Sequence, residues 1–136
     1  ACAPTGDSDD DVKARGKYLA TAAGCVECHS PAKRGQVLEG QEFAGGRSFP
    51  LATGTVTSAN LTSSGVIGSF DGDVFVAAVR SHGTGVDSAA VVEKDAMQTN
   101  MPWTAYAGMS DADLKAIHAY LRSLPAKPVP EGTAQR

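Results

Sequence analysis

The chain has 136 residues and a formal net charge of −3, with 12 Lys and Arg against 15 Asp and Glu. That length suits one domain of about 100–150 residues, and the mild acidity excludes a nucleic-acid binder, which needs clustered Lys and Arg to neutralise phosphates. Leu, Ile, Val and Phe supply only 25 residues, below the roughly 20% at which disorder becomes a concern, yet the low net charge opposes disorder. A large apolar group inside the core would close that gap. No run of about 20 apolar residues spans a membrane, and the absence of a signal peptide reads as a cytoplasmic protein or a processed one. Three cysteines are an odd number, so a pure disulfide framework fails.

Residues 1–8 lack apolar periodicity and read as a flexible leader. Asp9 to Asp11 offer an N-cap and negative charge where a helix dipole favours it. Val12, Gly16, Leu19, Ala20 and Ala23 follow at helical spacing, which predicts a helix over 11–23 with Gly24 as its stop. Gly16 lies within the apolar stripe, where a missing side chain lets another helix approach. From Ser30 to Ser69 the pattern dissolves into Gly, Ser, Thr and Pro, a length that implies wrapping around something. Alternation over 48–57 suggests a small hairpin. A second helix is expected from Asp71, with Phe70 and Phe75 as a hydrophobic staple, Val74, Phe75, Ala78 and Val79 as its buried face, and Gly83 as its end. Residues 84–100 are irregular. A last helix opens at Ser110 with Met109 and Leu114 as a staple, runs to about Leu124 on a Leu114, Ile117, Leu121, Leu124 stripe, and stops at Pro125. The domain therefore covers 9–125, and 126–136 form a Pro-rich tail.

Cys25-Val26-Glu27-Cys28-His29 has the spacing of c-type haem attachment. Two thiols three residues apart fit one helical turn and can both bond the vinyl groups on one porphyrin edge. The next imidazole is then carried under the iron as an axial ligand. A Cys-x-x-Cys redox pair belongs near a βαβ pattern, which is absent. A structural zinc site needs four ligands, and only Cys2, His82 and His118 remain, widely scattered.

The sixth ligand decides between electron transfer and open-site chemistry, because His plus Met fills both axial positions. Met109 is explained as a staple, and Met97 lies in a polar stretch with nothing to fix it. Met101 precedes Pro102, whose ring stiffens the strap, and Trp103 and Tyr106 follow as walls; Met101 is the expected ligand. His118 flanks a helix stripe and His82 sits at a helix end, so both are expected in solvated or capping roles.

Several stretches resemble a class I cytochrome c: residues 22–29, Ala-Gly-Gly-Arg at 44–47, Asn-Leu-Thr at 60–62, Met-Pro-Trp at 101–103, and 109–125. More narrowly, they are similar to the haem domains of multihaem cytochrome subunits of bacterial membrane-bound dehydrogenases, over roughly 10–125. The resemblance implies an all-α cytochrome c fold, its first and last helices crossing at Gly16 and Tyr120 and its long loops wrapping one covalently bound haem c. It also implies Met101 as distal ligand. Haem propionates want donors, and Arg47 and Asn60 in the wrapping loop are candidates, against readings as a surface Arg and a turn Asn. Lys33 and Arg34 are either a docking rim for a redox partner or a solvated loop. Cys2, in an Asp-rich leader, reads either as a lipid-bearing cysteine, which would be the chain's membrane attachment, or as an unpaired thiol. The expectation is a monohaem one-electron carrier between redox proteins in the bacterial periplasm or cell envelope, and not an enzyme. The rival is an open-site haem protein, peroxidase-like or gas-binding.

Overall fold

A computed structural model describes residues 8–51, 54–83 and 101–128, with the side chains of His82 and Gly83 left out. Five helices carry the described chain: α1 (Asp9–Ala22), α2 (Cys25–Cys28), α3 (Gly72–Gly83), α4 (Trp103–Ala107) and α5 (Asp111–Ser123). Between α2 and α3 lie two antiparallel pairs, β1 (Ala32–Lys33) with β2 (Gln36–Val37) and β3 (Ser48–Leu51) with β4 (Gly54–Thr57), and a 3₁₀ turn at Val66–Ser69. The all-α expectation is thus only partly met. The hairpin expected over 48–57 is present, and a second, shorter one turns at Arg34 and Gly35, both with positive φ (53° and 82°), as a two-residue hairpin turn requires.

Helix α1 starts two residues earlier than the predicted 11–23. Ser8 is the N-cap, accepting from the Asp11 amide at 3.2 Å, and Asp11 reaches back to the Ser8 amide at 3.3 Å, a reciprocal capping box. The helix ends at Ala22, and Gly24 at φ 74° reverses the chain into α2. Asp71 caps α3 by accepting from the Val74 amide at 2.8 Å. Ser110 caps α5 by accepting from Asp113 at 3.1 Å.

α1 crosses α5 at a point of backbone contact. A methyl group built on Gly16 would meet the Ala116 carbonyl oxygen at 1.9 Å and Tyr120 Cβ at 2.8 Å. The Gly16 and Tyr120 crossing is therefore as expected, and Arg15 Nε pairs with Asp113 Oδ1 at 2.7 Å beside it. Ala20, Ile117 and Leu121 carry the buried faces of this pair, and Phe43 and Ile67 from the long loop close over them. Phe43 stands edge-on to Tyr120 with centroids 6.0 Å apart. Its φ of 63° costs a bulky residue about 1–3 kcal/mol, a strain offset by burying an aromatic ring. Val74 corrects its expectation: it is 45% exposed, while Val79 carries the buried face of α3. No described helix is long and apolar enough to cross a membrane.

Candidate functional site

The loop and helices enclose an apolar cavity of about 290 Å³. Its walls come from distant parts of the chain: Phe49 of β3, Leu61, Val66, Ile67 and Phe70 of the loop, Phe75, Ala78 and Val79 of α3, and Ile117 and Leu121 of α5. Cys25, Cys28 and His29 line it from α2, and Met101, Pro102, Trp103 and Tyr106 line it from the start of α4. Phe70 and Phe75, expected as a staple at the helix entry, both line this cavity.

α2 is a single turn, so Cys25 and Cys28 share one face, and the His29 amide closes that turn on the Cys25 carbonyl at 2.9 Å. Burial pushes the Cys25 thiol up to about 11. A thiol held protonated is the opposite of the activated thiolate that Cys-x-x-Cys redox chemistry needs. Among the described residues no group of three or more His, Cys, Asp and Glu is placed to share a metal ion.

His29 is oriented by its neighbour across the loop. Its Nδ1 lies 2.8 Å from the Ala59 carbonyl oxygen. A carbonyl only accepts, so Nδ1 carries the proton and Nε2 keeps its lone pair. Burial lowers the imidazole below its ordinary value, which keeps it neutral. That is the state in which an imidazole ligates a metal.

Met101 enters ahead of a five-residue helix with no side-chain cap. The Met101 carbonyl accepts from the Trp103 amide at 2.8 Å, and that of Pro102 accepts from Ala105 and Tyr106 at 3.1 and 3.3 Å. Two side chains tie this segment down. Tyr106 donates its hydroxyl to the Ala23 carbonyl at 2.8 Å, and burial holds the phenol above its ordinary value, so it stays a donor. Arg80 of α3 donates to the carbonyls of Ala107 and Met109 and to the Asp111 carboxylate. Neither clasp is visible as a sequence motif, since both join residues tens of positions apart.

Arg47 and Asn60, expected as propionate donors, do not line the cavity. Arg47 Nη1 donates to the Glu27 carbonyl at 2.5 Å, and its guanidinium lies 5.5 Å from the Phe49 ring centroid. Asn60 is buried; its Oδ1 accepts from the Thr62 amide and hydroxyl at 2.8 and 2.6 Å, and its Nδ2 donates to the Lys127 carbonyl at 2.7 Å. Both side chains brace the backbone around the cavity. The solvated role expected of His118 is corrected: it is buried, with Nε2 2.9 Å from the Phe70 carbonyl and its ring 5.6 Å from that of Phe75. Lys33 and Arg34 stand exposed at the β1–β2 tip. Cys2, Met97 and the side chain of His82 lie outside the described residues.

The donor set fits a c-type haem: two thiols on one turn, a neutral imidazole with a free Nε2, and a thioether, all facing one apolar cavity. A family model described as cytochrome c matches residues 13–125. The cytochrome c subunit of a gluconate 2-dehydrogenase from Pantoea cypripedii is 39% identical over 115 residues, 83% of this chain and 23% of that protein. The cytochrome subunit of a fructose dehydrogenase from Gluconobacter japonicus is 36% identical over 117 residues, 85% of this chain and 21% of its own length. The cytochrome c subunit of a quinone-type alcohol dehydrogenase from Gluconobacter oxydans is 32% identical over 116 residues, 84% and 22% respectively. The chain spans less than a quarter of the length of each of these three relatives.

Proposed function

This chain belongs to the cytochrome c family, and we propose that it carries one haem c, bonded covalently through Cys25 and Cys28 and ligated by His29 and Met101. It is an electron carrier and not a catalytic subunit. The observation that supports the ligand set is convergence: Cys25, Cys28 and His29 from one segment and Met101 from a distant one line the same cavity. The bound haem would supply a one-electron iron couple. His29 presents Nε2 while the Ala59 carbonyl fixes its ring, and Met101 brings a soft sulfur ligand on a segment clasped on its C-terminal side by Tyr106 and Arg80. The aromatic walls keep water from the site.

The partners are redox proteins on either side of the carrier. Because its relatives are named as cytochrome subunits of dehydrogenases, a dehydrogenase-type donor in the bacterial cell envelope is the setting we propose.

Absorption spectra with and without carbon monoxide test the reading. The unmodified ferrous protein should not bind carbon monoxide, and the ferric protein should show the weak long-wavelength sulfur-to-iron band. Met101→Ala should lose that band, bind carbon monoxide and lower the potential. Met101→His should keep six ligands at a lowered potential, because imidazole stabilises ferric iron more than thioether does. Met97→Leu should leave the spectrum intact. Ready binding of carbon monoxide by the unmodified protein favours the open-site rival.

A further inference from the structure

We propose that Gly45 and Asn60 are positioning residues for His29, jointly holding the Ala59 carbonyl where it accepts the hydrogen bond from Nδ1–H. The proposal rests on His29 being the iron ligand.

The geometry closes a ring of contacts around one peptide group. Gly45 donates its amide to the His29 carbonyl at 2.7 Å, while the His29 side chain donates to Ala59 at 2.8 Å. Gly45 therefore sits between the two ends of the interaction. At φ 76° it lies against the Ala59–Asn60 peptide so closely that an added Cβ would come within 2.6 Å of both Ala59 C and Asn60 N, and 2.8 Å from the Ala59 oxygen. The register is set by backbone bonds on either side, Gly46 N to the Ser58 carbonyl at 2.9 Å and Ser58 N to the Arg47 carbonyl at 2.8 Å. From the far side, Asn60 anchors the same peptide through its bonds to Thr62 and to the Lys127 carbonyl. Ala59 has no side chain able to choose its carbonyl direction; its two neighbours choose it.

The consequence is electronic. A hydrogen bond from Nδ1–H makes Nε2 a more basic ligand and favours ferric iron. Displacing the Ala59 carbonyl weakens that bond, so the ferric state loses stabilisation and the midpoint potential rises.

The test measures midpoint potential and the ferric paramagnetic resonance spectrum of the haem-loaded protein. Gly45→Ala and Asn60→Ala should each raise the potential and change the low-spin anisotropy. Gly40→Ala is the control: its φ of 79° imposes the same backbone strain, but an added Cβ there meets nothing within 4 Å, so its potential should match the native one. A haem-loaded Gly45→Ala at native potential overturns the role of Gly45. Should Gly45→Ala not fold, Asn60→Ala carries the test, and a native potential there overturns the shared role. If the unmodified ferric protein lacks the low-spin signature of a bound imidazole, the ligand reading itself has failed, an outcome separate from the other two.

Discussion

The hydroxyl of Tyr106 donates to the carbonyl of Ala23 at 2.8 Å, joining residues 83 positions apart. This single bond ties the segment that carries Met101 to the turn that precedes Cys25. Tyr106→Phe removes the donor and leaves the ring, so it should cost about 1 kcal/mol in denaturant unfolding. The ferric sulfur-to-iron band should also disappear at a lower temperature than in the native protein. A band of unchanged thermal persistence would mean that the segment is held without Tyr106.

Arg80 grips the same segment from α3. Arg80→Met should strand the Ala107 and Met109 carbonyls and disturb the spectrum more than Tyr106→Phe does, because two carbonyls and the Asp111 carboxylate lose their donor. Unchanged band intensity in Arg80→Met would contradict this role.

The Arg80 guanidinium, by hydrogen bonding, holds the Asp111 carboxyl below the usual carboxylate range, and Arg15 does the same for Asp113. Both acids therefore bind a proton less readily folded than unfolded. Their pairings stabilise the fold fully above the ordinary carboxylate range and are lost as pH falls through the lowered values. Arg15→Gln and Arg80→Met should each flatten the acid limb of the stability profile. An acid limb as steep as the native one would show that these exposed pairs contribute nothing there.

At an exposed helix site Gly→Ala is favourable by about 1 kcal/mol. At Gly16 the sign should reverse, because the methyl group would meet the Ala116 carbonyl at 1.9 Å. Overpacking of about 1–3 kcal/mol exceeds the propensity gain. Chemical denaturation of Gly16→Ala should show net destabilisation, and a stabilised variant would mean that α1 and α5 separate freely.

The parts of the fold that a sequence makes legible are those coded by near neighbours. The α5 stripe of Leu114, Ile117 and Leu121 is buried where its period places it, and the turn proposed for haem attachment is read from five consecutive residues, Cys25 to His29. Ser8 stands three residues before Asp11 in a capping-box pattern, but Asp9, Asp10 and Asp11 beside it are competing caps of equal chemistry. What stayed hidden depends on distant partners. His118 is buried because the loop brings the Phe70 carbonyl to it, 48 residues away. Val74 is exposed because the α1–α5 pair and the cavity set which face of α3 turns inward. The helix α4 has only five residues and no side-chain cap, so neither period nor cap announces it. Asn60 suits a cofactor donor as well as a brace on sequence alone, and its bonds to Thr62 and Lys127 join it to partners that no local pattern announces.

The most direct test of the central claim is the intact mass of the protein after denaturation and extraction with acidic organic solvent. Thioether bonds survive that treatment and iron ligation does not. We expect the mass of the chain plus one haem, reverting to the bare chain when Cys25→Ala and Cys28→Ala are combined. A bare chain from the unmodified protein, or a mass carrying two haems, would contradict the proposal.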